Sequence, residues 1–153
     1  MSLKTEYLKQ YDRHCAPPPR AIQGAAYCAH PLDGQRHYGH VNNVAYYSFF
    51  DTAVNGFLID GSGMDIRDLP AIGVVAESGC RFLRGASFPD TIHAGLAVER
   101  IGTSSVVYRV ALFRNDDDAP CAVGRFVHVY VDRITRRPVP IPPAITTVVD
   151  QLK

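Results

Sequence analysis

Neither sign of charge prevails in this sequence: 16 Lys and Arg stand against 15 Asp and Glu, a formal net charge of +1. The bulk positive field that holds a nucleic-acid backbone or an anionic membrane surface is therefore missing, and any recognition of anions has to be local. No C-x-x-C pair occurs among the four cysteines, Cys15, Cys28, Cys80 and Cys121. Their wide spacing reads as free thiols in a reducing compartment rather than as a disulfide framework. The opening stretch MSLKTEYLKQYDRH has no apolar run resembling a signal-peptide core or a spanning helix. The expectation is a cytoplasmic protein with no nucleic-acid and no membrane partner. No metal is expected either, because only His37 and His40 of the six histidines lie close together, and a lone H-x-x-H has many other uses.

What the sequence does have is core material. It is 46% hydrophobic and 20% charged, with 7 Phe and 8 Tyr, an ordinary globular balance. At 153 residues it fits one domain. Residues 1–20 read as a polar lead-in ending in Pro17-Pro18-Pro19, and residues 21–153 as the domain. Residues 21–30, with Ile22, Tyr27 and Cys28, allow a first strand, and Asp33-Gly34 and Gly39 make residues 31–39 a loop. Asn42 and Asn43 then cap a helix whose Val44, Tyr47, Phe50, Val54, Phe57 and Leu58 recur at three- and four-residue spacings, and Gly61-Ser62-Gly63 stops it.

Four β-branched and aromatic runs follow, at 72–82, 91–101, 104–113 and 121–131, separated by short connectors rich in Gly, Pro, Asn and Asp. Such short links favour antiparallel neighbours. The proline-rich tail from Arg136 to Pro143 permits only a short helix or coil after it. One helix covers only part of a five-stranded sheet, so a homo-oligomer is expected, with strands joined across the boundary.

Gly39-His40-Val41-Asn42-Asn43, followed by Tyr46-Tyr47-Ser48-Phe49-Phe50-Asp51, resembles the G-H-V-N-N-x-x-Y-x-x-[FY]-F-[ED] signature of hotdog-fold thioesterases, in the branch of hydroxybenzoyl-CoA thioesterase and the small bacterial acyl-CoA thioesterases. The resemblance continues through Arg81-Phe82-Leu83, Pro89-Asp90, Ile101-Gly102-Thr103-Ser104-Ser105, Val131-Asp132 and the tail from Arg137 to Pro142. It implies an α+β hotdog fold, one long central helix wrapped by a curved antiparallel sheet of about five strands. It also implies homodimers or homotetramers, and hydrolysis of an acyl-CoA thioester at a dimer-interface site. No cofactor is expected, since CoA is part of the substrate.

Thioester hydrolysis needs an activated water or a carboxylate nucleophile, and donors aimed at the oxygen that becomes negative. Free N–H groups from Asn43 to Ala45, at the positive end of the helix dipole, suit the second need. Helix capping by the Asn pair is a compatible structural role. The resemblance would place an Asp three residues before Gly39, where this chain has Arg36, and a further Asp where it has Gly34. Asp33 is the remaining loop acid; turn formation before Gly34 explains it equally well.

His37 and His40 are the alternative bases, with hydrogen-bonded structural roles as the bland reading. Asp51 matches the family's helix acid and faces either inward or out to solvent. Arg36 suits a substrate carboxylate or phosphate, while Asn42, Val44 and Tyr47 line the helix start. Glu77, Arg81 and Arg84 are candidates for the substrate's rim, although charged strand residues are more often simply solvated. Loss of the usual Asp opens a second reading, a non-catalytic acyl-CoA or acyl-carrier binding protein.

Overall fold

The computed structural model describes the backbone of Ala26–Tyr27 and all of residues 39–153. The lead-in, most of the first expected strand, and the loop bearing Asp33, Arg36 and His37 lie outside the described residues.

Helix α1, Asn43–Ser62, starts where Asn42 stays extended and its side-chain oxygen accepts the Val44 N–H at 3.3 Å. It ends at Gly63, whose φ of 63° lets its N–H bond back to Ile59 O at 3.0 Å. The buried side chains are Tyr46, Phe50, Ala53, Val54, Phe57 and Leu58. This corrects the expected stripe at its first two members, since Val44 is 71% and Tyr47 38% exposed. At about 100° per residue, a stripe centred on Tyr46, Phe50 and Phe57 turns Val44 to the far side. Tyr47 lies on a flank that the C-terminal helix covers only further along, where Val148 packs at Gly61.

The strands are β1 (Ala26–Tyr27), β2 (Ala71–Phe82), β3 (Ile92–Ile101), β4 (Ser105–Arg114) and β5 (Ala122–Asp132). The four long ones match the expected runs to within one residue at each end, while β1 adds two residues at an edge. They form one antiparallel sheet in the order β1-β3-β4-β5-β2. Helix α2, Pro143–Val149, follows the proline-rich tail.

Register decides what faces α1. Tyr108 pairs with Phe126 and Val106 with His128, so these share the helix-facing side with Val110, Leu112, Ala122 and Tyr130. Phe50 sits directly on Gly124, where an added Cβ would collide with its ring and come within 2.6 Å of Gly79 O. Helix and sheet therefore touch through glycine at this point. Val107, Ala111 and Phe113, on the opposite face, are buried as well. The case for a partner chain thus rests less on an uncovered sheet face than on the outer edge of β2, which pairs with no strand among the described residues. No described helix is long and apolar enough to cross a membrane.

Candidate active site

The segment Gly39-His40-Val41 enters α1 against the loop joining β2 to β3. Gly39 takes a φ of 76°, and Val41 N–H donates to Ala86 O at 2.8 Å. The His40 imidazole lies on Gly85, where a Cβ would stand 2.9 Å from Nδ1. That loop is itself fastened to the turn between β4 and β5. Leu83 and Arg84 N–H groups donate to Cys121 O, and Arg114 Nη1 donates to Gly85 O at 2.9 Å. Asp117 accepts from Arg114 Nε at 2.9 Å and lies 3.8 Å from Arg84 Nη1. Asn115 bridges Thr91 N–H and Asp90. The helix start is thus positioned by two sheet connections.

At the helix tip, Ala45 N–H donates to Asn42 O at 2.9 Å and Val44 N–H makes its longer bond to the Asn42 side chain. The Asn43 N–H, on an exposed residue, has no partner among the described residues. Among the described residues, then, one donor without a partner and one weakly held donor stand at the positive end of a 20-residue helix. Tyr46 lies just behind them, buried; burial pushes its hydroxyl's pKa up while its contact with the Ala86 backbone opposes that. Burial also raises Cys80 to about 11 and raises Cys121, so neither thiol is a thiolate nucleophile at neutral pH.

Of the residues singled out in the sequence, His40, Asn42, Asn43 and Val44 gather at this tip. Tyr47 lies one turn on, edge-to-face with Phe50 at 6.2 Å. Asp51 is exposed a further turn along, about 12 Å in axial rise from Asn43. Arg84 sits in the loop below the tip. Glu77 and Arg81 do not join them within one chain, because the register puts both on the sheet face turned away from α1, where Glu77 pairs with Arg125.

A feature the sequence reading passed over is His128. It is 2% exposed on the helix-facing side of β5, among the rings of Tyr108, Phe126 and Tyr130. Burial lowers its pKa to about 4, against a smaller opposing effect of the Asp51 charge. Its Nδ1 and the hydroxyls of Tyr108 and Tyr130 are buried without a hydrogen-bond partner among the described residues, although the two hydroxyls lie close enough to influence each other. The alternation Phe126-Val127-His128-Val129-Tyr130 carried the signal: period two puts His128 on the same face as the two aromatics. Among the described residues no group of three or more His, Cys, Asp or Glu is placed to hold a metal ion.

Against known proteins, residues 29–149 match the thioesterase-like superfamily. No curated protein matches the chain. Among solved structures, the PA5185 protein of Pseudomonas aeruginosa strain PAO1 is 44% identical with a TM-score of 0.79, over 90% of this chain and 97% of that one. The PA2801 protein of the same species, described as a candidate thioesterase, is 25% identical with a TM-score of 0.76, over 85% and 99%. A 1,4-dihydroxy-2-naphthoyl-CoA thioesterase of Synechocystis shares the fold at 13% identity and a TM-score of 0.71, over 79% and 90%. Signature, α+β fold and family match agree, and the chain belongs to the thioesterase-like superfamily, in its hotdog branch.

Proposed function

We propose that residues 21–153 form one acyl-CoA thioesterase domain that binds the thioester carbonyl at the start of α1. The observation that carries this reading is the Asn43 N–H, without a partner among the described residues, beside the long Val44 bond at the exposed positive end of a well-capped helix. Such donors strengthen as the carbonyl oxygen gains charge, which is the condition for speeding acyl transfer. The Synechocystis relative acts on a CoA thioester, which supports CoA as the thiol. Asp33 is the carboxylate that directs water to the carbonyl, with His37 and His40 as the competing bases. Arg36 and Arg84 are suited to substrate anions, Asn42, Val44 and Tyr47 to the walls, and Asp51 to the helix acid's role.

The site is completed by a second copy of the chain. Val44, Tyr47, Val75 and Phe82 are exposed on α1 and the edge strand β2, and one side of β2 pairs with no strand among the described residues. Glu77, paired with Arg125, and Arg81 stand on the sheet face turned away from α1, on the edge strand that such a partner would meet.

The test is thiol release from a panel of acyl-CoAs by the purified protein, with Asp33→Asn, His37→Ala and His40→Ala alongside. Turnover in the parent and a loss of about 10² in Asp33→Asn supports the carboxylate. Parental turnover in Asp33→Asn with loss in a histidine variant moves the base to that histidine. A parent that binds acyl-CoA and releases no thiol favours the second reading, a non-catalytic acyl-CoA or acyl-carrier binding protein, which Arg36 at the usual Asp position supports.

A further inference from the structure

Behind the second half of α1 lies a pocket of about 200 Å³, open to solvent on one side. Asn55 and Leu58 of α1, the Ile66–Asp68 turn, Ala71 to Gly73 of β2, His128 and Tyr130 of β5, and Ile145 of α2 surround it. Several features hold it open. Gly73 offers no side chain, and a Cβ there would stand 3.0 Å from His128 Nδ1. Arg133, also at the wall, fastens the turn over it by donating Nε to Leu69 O at 3.1 Å and Nη2 to the carbonyls of Leu69 and Arg67.

The walls fix the chemistry of an occupant. Leu58, Ile66, Leu69, Ala71, Ile72 and Ile145 call for an apolar body, and the volume exceeds the roughly 150 Å³ at which an engineered apolar cavity admits benzene. His128 and Tyr130 bring two of the buried polar atoms that lack hydrogen-bond partners among the described residues, His128 Nδ1 and Tyr130 Oη. Both atoms are buried, and the edge of the imidazole carrying Nδ1 faces Gly73 at the pocket wall, so reaching an occupant's hydroxyl would require a turn of that ring about Cβ–Cγ. A hydroxyl is the small neutral group that both donates and accepts, so it fits the imidazole in either tautomer and the phenol together.

We propose that this pocket is a second small-molecule site, one that takes a neutral single-ring or short branched-chain compound bearing a hydroxyl. It lies about 18 Å in axial rise from Asn43 of the same chain, beyond the span of a one-ring acyl group held at the helix tip.

The experiment is titration of the full-length protein with 4-methylphenol and with toluene, read by NMR on backbone amides and the His128 ring. Saturable shifts centred on Gly73, His128 and Tyr130 are expected, with 4-methylphenol binding about 10-fold tighter than toluene. His128→Phe should keep toluene binding and bring the ratio close to one, and Ala71→Leu, or the more exposed Ile72→Phe should the first fail to fold, should abolish both. No saturable shift, an equal ratio in parent and His128→Phe, or shifts centred on His40 to Val44 would each overturn the proposal. The titration needs no acyl-CoA turnover, so its outcome is independent of the thioesterase reading.

Discussion

Acidification should weaken this protein through one residue. His128 is buried between α1 and the sheet, where its pKa falls to about 4, mainly through burial and despite the Asp51 charge. The groups facing it are Asp51 of α1, Tyr108 of β4, Tyr130 of its own strand and apolar Val75 of β2. In the unfolded chain an unperturbed histidine titrates near about 6.5. Below that value the unfolded state takes up a proton that the folded state refuses, so stability falls with pH between about 6.5 and 4 and is fully present above that window. Linkage over these two values gives a loss of roughly 2.5 kcal/mol between pH 7 and 4.5. Asp65, Asp90 and Asp132 have lowered values, so their contributions are lost only at the acid end of the range and below it. Urea unfolding at matched protein concentration, at pH 7, 6, 5.2 and 4.5, for the parent and for His128→Gln, measures the difference. The parent should lose roughly 2.5 kcal/mol more than the variant over that range. Parallel pH profiles would show that His128 is not held neutral, and the burial argument would fail.

Three further outcomes follow from the same packing. Gly124→Ala should destabilise by about 1–3 kcal/mol, because the new methyl meets the Phe50 ring and Gly79 O; a thermal melt that matches the parent would contradict the close approach. Asn42→Ala, which deletes the cap on Val44 N–H, should cost about 1 kcal/mol in chemical unfolding, and a neutral result would mean the 3.3 Å bond contributes nothing. Sedimentation at micromolar concentration should show a dimer or tetramer, and a single 16.8 kDa species would rule out a site shared between copies.

The strands were legible because β-branched runs are separated by strong turn formers, and α1 because its caps, Asn42 and Gly63, bracket an apolar repeat. The rotation of α1 was less legible. Tyr46 and Tyr47 are adjacent, both aromatic, and each continues an apolar stripe, so only packing against the sheet chooses Tyr46. The helix tip of the candidate site could be read from Gly39 to Asn43. Its support from Arg114 and Asn115 could not, because those residues lie about seventy positions away and meet the tip only through the loop after β2. His128 escaped notice because a histidine in an apolar run gives no hint of whether it pairs, titrates or lines a space.

The anchoring of the helix tip has a consequence for how this domain diversifies. Val41 and His40 hang from Gly85 and Ala86, and these in turn from the β4–β5 turn, so the donors at Asn43 and Val44 take their place from the sheet. On the proposed reading, the place where the carbonyl binds is thus governed by residues about forty to seventy positions further along the chain. Exchanges in the β4–β5 turn can therefore shift the donors at Asn43 and Val44 without altering the signature itself.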